Sequence, residues 1–379
     1  MLVPRVLTIL RNSHVLVPSP LAMSRGGKFL DRWQMMITEY YCRAGASAVI
    51  AGTHTGQFAR EDLGLYREWL DLINDVTAPY VERRDMFRMS AVGGPKALKM
   101  AEIAKEKDQD VVMVAPTAFC RFERGVIFKE NDALALMEDI ARILPVFGFY
   151  LQEAVGGIPL SRTFWEKLFA FAHGAKVAPF DKAKTDDVMT AAIRSPRFSA
   201  LVMVTGNDNR IVQDFLDEWP FEGKTLRFSA GLLGHFATDT HRAVRLVKYL
   251  KHVRGDQDFE KIGEGLLQPE ADYDDFRRKD ISDLAADVGI MNHALFDAEN
   301  LPGSPPYQNA VSGVHHRLCR LGLIPEETSV VWPDGRKERG RPGLQEEIDR
   351  AYAERSYLTD KGFLENLLPE LKEKYSLNK

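Results

Sequence analysis

Cysteine is scarce. The 379 residues hold three, Cys42, Cys120 and Cys319, far apart and without a C-x-x-C pair. That pattern excludes a disulfide framework and a zinc site, and it points to a reducing compartment. No apolar stretch reaches the roughly 18 residues that a membrane span needs. An excess of one charge is missing too: 50 Lys+Arg stand against 54 Asp+Glu, a net charge of −4, with no long basic run. Nucleic acid is therefore not the expected partner. The 28 Gly and 19 Pro are scattered without period, which excludes a collagen-like or low-complexity chain. The opening segment MLVPRVLTILRNSHVLVPSP lacks a basic n-region and a small-residue cleavage site, so it is not read as a signal peptide. The expectation is a cytoplasmic protein with neither a nucleic-acid nor a membrane partner.

What is present is globular material. A hydrophobic share of 45% is enough to bury a core and argues against disorder. The length allows two or three domains, or one α/β barrel of about 250 residues with an extension.

Eight short apolar runs follow one another: 14–20, 47–52, 87–94, 110–116, 144–151, 175–180, 200–206 and 226–232. Several are continuously apolar rather than alternating, which suits parallel strands buried on both faces. Amphipathic stretches lie between them, among them 29–45, 61–75, 95–108, 132–143 and 161–173, with Ser161 placed as an N-cap. Segments 209–217 and 238–254 add two more helices. Eight strand–helix repeats predict an α/β fold, a (β/α)8 TIM barrel over residues 1–255, ahead of a doubly wound sheet. Residues 256–379 read as a C-terminal helical region packed on the barrel or at a subunit interface. Its helices are 284–300, 311–323 and two charged ones within 346–375, and 329–343 reads as a hairpin around Asp334-Gly335 or an exposed loop.

Barrel chemistry sits at the C-terminal ends of the strands. Two features stand out there. Lys176 lies within the short apolar run HGAKVAPF. Burial lowers an amine's pKa, which makes it a nucleophile toward carbonyls. A strand-end lysine snorkelling to solvent is the alternative. The second feature is the turn GTHTGQF, 52–58. Its hydroxyls and backbone N–H groups suit a carboxylate, although a βα turn with glycines and a Thr cap needs no ligand. Tyr150 ends the run before that of Lys176. Neighbouring strands lie about 4.8 Å apart, so the two side chains can meet, with a core tyrosine as the alternative.

In order, these pieces resemble the dihydrodipicolinate synthase / N-acetylneuraminate lyase family of class I (Schiff-base) aldolases, over roughly residues 14–325. GTHTGQF resembles the family's Gly-Thr-Thr-Gly-Glu turn. SAVGGPKALKMAEIA, DVVMVAP and LPVFGFY follow as its third, fourth and fifth strands do. Lys176-Val177-Ala178 resembles its Lys-x-Ala, Gly206-Asn207-Asp208 its Gly-x-Asp, and GLLGH its last Gly-rich turn. The chain also departs from the pattern: His54 is an extra residue, Gln57 replaces Glu, and YLQEAVGG carries no arginine for a second carboxylate. No match to the relay tyrosine lent by neighbouring subunits stands in APTAFCRF.

The resemblance implies a lyase acting on a pyruvate-like 2-oxo acid, though not a true dihydrodipicolinate synthase. Lys176 forms the imine. Tyr150 relays the proton, oriented by Thr53 or Thr55. The turn Thr53, His54, Thr55 and Gly56 holds the carboxylate. Gln152, Glu153, Asp208 and His235 meet the distal half of the substrate. No cofactor is expected. No metal is expected either, because His315-His316 point to different helix faces and His235 and His241 lack a chelating spacing. A homodimer or homotetramer is the expected assembly. The alternatives are an acid–base barrel enzyme without an imine, using Glu153, Asp208 and His235, or a non-catalytic 2-oxo-acid-binding protein.

Overall fold

The structure is a computed structural model. It describes residues 2–58, 62–83, 85–119, 129–256, 273–299, 306–325, 330–332, 337–338 and 340–377. The chain opens with α1 (Pro4–Asn12), β1 (Leu16–Pro18), α2 (Asp31–Arg43), β2 (Ala48–Ile50) and α3 (Leu63–Glu82). It continues through β3 (Met89–Val92), α4 (Ala97–Glu106), β4 (Val111–Val114), α5 (Glu130–Ala141), β5 (Val146–Leu151) and α6 (Arg162–Leu168). Next come β6 (Gly174–Ala178), α7 (Lys182–Arg194), β7 (Val202–Thr205) and α8 (Ile211–Leu216). A hairpin, β8 (Trp219–Phe221) with β9 (Lys224–Leu226), precedes β10 (Ala230–Gly231) and α9 (Thr240–Val253). The remaining helices are α10 (Asp274–Arg277), α11 (Ile281–Leu295), α12 (Ala310–Arg320), α13 (Leu344–Glu354) and α14 (Lys361–Lys374). Between α12 and α13, β11 (Val330–Val331) pairs antiparallel with β12 (Lys337–Glu338).

The eight expected strand segments form a parallel ring. β3, β4, β5, β6, β7 and β10 pair in that order, and β1 pairs with β2. Two parallel bridges close the circle, Ala51 to Ser90 and Val15 to Gly231. The fold is therefore a (β/α)8 barrel with a C-terminal helical part. Side chains alternate about the ring, as strand geometry requires. Phe147, Phe149 and Leu151 join the interior cluster, while Val146 and Tyr150 join the layer between strands and helices. Both layers are apolar, which is why the strands read as continuous hydrophobic runs.

Two elements escape a sequence reading. Helix α1 inserts Val6 and Leu10 into the interior cluster and packs against β7 and β10. Its short apolar run carries no repeat long enough to separate helix from strand. The β8–β9 hairpin turns on Glu222 and Gly223, both at positive φ (47° and 75°), the backbone of a type I′ turn.

Ser161 caps α6, accepting from the Phe164 amide at 3.1 Å. The strands flanking Asp334-Gly335 pair as a hairpin requires, and the turn itself lies outside the described residues. Cys42 is buried and Cys319 partly exposed; Cys120 lies outside the described residues. The C-terminal helices pack on the barrel in the same chain: α11 on α8, and α14 on α2. The boundary expected at 255 adjoins 257–272, also outside the described residues. Among the described residues no helix is long and apolar enough to cross a membrane.

Candidate active site

Lys176 sits in the middle of β6 and points into the barrel. It is 7% exposed. Register places it opposite Phe149 on β5 and Val204 on β7. Its Nζ lies 4.4 Å from the Phe149 ring centroid. Gly206 leaves room for the side chain, since a Cβ there would lie 2.5 Å from Lys176 Cε. Burial lowers the amine pKa to about 8, and the field of Asp208 opposes the shift. Asp208 is moved the other way, up to about 7, again by burial. The His235 amide (3.2 Å) and the Gly234 amide stabilise its charged form. The pair titrates as a unit near neutral pH.

Both groups line a cavity of about 540 Å³, mouth included, at the C-terminal end of the barrel. Thr53, His54 and Thr55 face it from the turn after β2. Thr55 Oγ1 donates to Pro18 O at 2.7 Å and lies 3.0 Å from Thr53 Oγ1. With its one proton on Pro18, Thr55 accepts from Thr53, so both hydroxyl protons are engaged within this chain. Gln57 and Phe58 close the turn with positive φ, 52° and 48°. Phe180, after β6, is a third such residue at 56°, and it too lines the cavity. Asn207 Oδ1 accepts from its amide at 2.9 Å, and Asn209 Nδ2 donates to its carbonyl at 3.2 Å. Asn207 is held in turn by Asp214 (2.8 Å) and Thr185 (3.2 Å). Such strained backbone persists only where neighbours over-determine it, as Asn207 and Asn209 do for Phe180.

Four of the expected site residues stand elsewhere. Tyr150 is the largest correction. Lys176 and Tyr150 fall on opposite faces of the sheet, because Tyr150 is in register with Val177. Its ring packs on Trp165 at 5.5 Å, and its hydroxyl accepts from the Leu160 amide at 3.3 Å. Leu151 takes the inward position at the end of β5. Glu153 points to solvent and pairs with Lys184 at 2.7 Å. The His235 ring stacks on Tyr352, and only its amide reaches the site, through Asp208. Gly56 backs the turn: a Cβ there would meet Trp69 at 2.7 Å. Gln152 does line the cavity.

The C-terminal part adds residues that sequence reasoning missed. Phe296, Tyr307 and Ala310 line the cavity. Trp332 lies 5.1 Å from His54, ring to ring. Burial raises the Tyr307 phenol pKa, with the Asp208 charge adding to it. Tyr307 follows the sequence LPGSPP, outside the barrel repeats, and no periodicity marks it. Among the described residues no group of three or more His, Cys, Asp and Glu is arranged to hold a metal ion.

Eight parallel strands, with a buried lysine that faces a cavity at their carboxyl end, define a TIM-barrel fold. No family model matches the sequence, and no curated protein sequence does. Solved structures do. Dihydrodipicolinate synthase from Oceanobacillus iheyensis is 14% identical, with a TM-score of 0.67 over 93% of this chain and 99% of that one. A prophage protein of the dihydrodipicolinic acid synthase family from E. coli K12, solved with pyruvate, is 11% identical, with a TM-score of 0.66 over 90% and 98%. N-acetylneuraminate lyase from Mycoplasma synoviae is 10% identical, with a TM-score of 0.61 over 90% and 98%. The chain has the fold of these enzymes, as the order of its sequence motifs suggested.

Proposed function

We propose that the chain belongs with these enzymes in chemistry as well as fold: a Schiff-base-forming lyase acting on a pyruvate-like 2-oxo acid. One observation carries the reading. A lysine buried in mid-strand faces a cavity at the carboxyl end of the barrel, where Asp208 is the one carboxyl group among the described lining residues. Neutral Lys176 attacks the ketone and forms an imine. The protonated imine is an electron sink for bond making or breaking at the next carbon. Backbone amides of Thr53, His54 and Thr55 take the substrate carboxylate, and the Thr53–Thr55 hydroxyl chain keeps that turn in place. Asp208 exchanges protons with the amine and the reacting carbon. The segment YLQEAVGG at the end of β5 carries no arginine for a second carboxylate, which supports a substrate other than that of a dihydrodipicolinate synthase.

The test is borohydride reduction with pyruvate and, separately, with longer 2-oxo acids, followed by peptide mapping. A reduced adduct on Lys176, absent in Lys176→Ala, supports the proposal. A second reading, an acid–base barrel enzyme without an imine, keeps Asp208 but loses Glu153 and His235, whose side chains face away. Turnover without any adduct would favour it. Binding of 2-oxo acids with neither adduct nor turnover would identify a non-catalytic binding protein.

A further inference from the structure

The cavity has few groups able to carry a proton to and from the substrate. Among the described lining residues, Thr53 and Thr55 have their protons engaged in the chain that ends on Pro18 O. His54 packs against Phe58 and Trp332. Gln152 has no proton to exchange at ordinary pH. Lys176 is the reacting amine. Asp208 and Tyr307 are two groups able to carry a proton, and they share the cavity with His54.

Tyr307 is held firmly. Its ring meets Phe180 edge-on at 5.3 Å, and Phe180 is itself clamped by Asn207 and Asn209. Its amide donates to Asp297 O at 2.8 Å. The buried Asp297 carboxylate accepts from Arg341 Nε and Asn309 Nδ2, both at 2.7 Å. The C-terminal extension thus fixes Tyr307 in the lining of the cavity, which Tyr150 does not reach.

We propose that Tyr307, supplied by the C-terminal extension of the same chain, is the proton-relaying acid of this site and works with Asp208. The proposal rests on the imine reading above. In the addition step the Lys176 Nζ–C bond forms. The carbonyl oxygen takes the Tyr307 proton, the nitrogen loses one to the Asp208 carboxylate, and Asp208 returns it to the phenolate. In the dehydration step one proton from solvent passes through Asp208 and Tyr307 to the new hydroxyl. The C–O bond breaks, water leaves, and the nitrogen lone pair closes the protonated imine. The same pair then removes and returns a proton at the adjacent carbon.

The experiment uses the full chain, pyruvate as probe, and exchange of the pyruvate methyl protons in deuterated water followed by NMR. Borohydride trapping runs in parallel. Tyr307→Phe, which keeps the ring against Phe180, is expected to retain the trapped adduct at equilibrium and to slow exchange by about 10²-fold, the low end for general acid–base catalysis. Tyr150→Phe is expected to exchange at the unaltered rate. Fluorotyrosine placed at 307 keeps both ring and hydroxyl, so it folds where a variant does not. It is expected to move the alkaline limb of the exchange profile to lower pH. Unaltered exchange in Tyr307→Phe, or an unmoved limb with fluorotyrosine, overturns the relay and leaves the imine standing. Absence of both adduct and exchange in the unaltered protein overturns the imine reading and the relay with it.

Discussion

An ammonium inside a barrel loses its water and gains little in return, so Lys176 is a costly residue whose neutral form is favoured. Its titration sets the pH profile. Adduct formation with pyruvate is expected to rise with pH and reach half its maximum near 8, where the amine is half neutral. A half-rise above 10 in trapping rates would show an ordinary, hydrated lysine. Stability moves with pH in the same direction. The folded pKa lies below the 10.5 of a free lysine, so the unfolded chain binds more protons between about 8 and 10.5. Stability therefore climbs across that window, and below it the penalty is constant. Lys176→Met is expected to abolish trapping without lowering the melting temperature at pH 7, checked by thermal denaturation. Gly206 is the other sensitive position. Gly206→Ala puts a Cβ 2.5 Å from Lys176 Cε and displaces the amine. A misplacement of that size is expected to slow trapping about 10²-fold while the circular dichroism stays native.

At the scale of elements, the C-terminal helices hold the start of α9. Asp360 accepts from the His241 amide (2.8 Å), the Arg242 amide (2.7 Å) and the Tyr40 hydroxyl (2.6 Å). Asp239 receives two hydrogen bonds from Arg317 on α12, at 3.0 and 2.7 Å, and one from the Asp360 amide at 2.9 Å. Every charge in this network is buried. Removing one partner leaves the other uncompensated. Arg317→Ala is expected to cost about 3–5 kcal/mol, because Asp239 is then stranded. The urea midpoint measures it, and a loss below 1 kcal/mol would place the pair in the surface class. The same helices deliver Asn292, whose Nδ2 donates to Asp208 O at 2.6 Å. A defect at this interface is thereby passed to the loop that carries Asp208.

At the scale of the molecule, the barrel is plugged at one end by α1 and roofed at the other by the C-terminal part. Val311, Val330 and Trp332 join the interior cluster from above. The additional helices bury their apolar faces on the barrel of their own chain. The homodimer or homotetramer expected from sequence therefore has to be built from other surfaces. Light scattering is expected to return two or four times the chain mass, and the mass of one chain would overturn that expectation.

The sequence by itself carried the barrel. Continuous apolar runs spaced by amphipathic helices leave few alternatives, because only a parallel sheet covered on both faces buries such strands. It also singled out Lys176, since a cation amid GAKVA breaks an otherwise apolar pattern, and Asp208 on the turn after β7. Only the tertiary structure decided which way Tyr150 turns. Strand β5 is apolar on both faces, so one residue of register separates a cavity phenol from a core tyrosine, and no local signal fixes that parity. Glu153, Gly56 and the His235 ring left the site for the same reason: proximity along the chain to a strand end does not set a side chain's direction. Tyr307 entered it from 131 residues beyond Lys176. Contacts of that separation come from packing between elements, which a one-dimensional pattern does not encode.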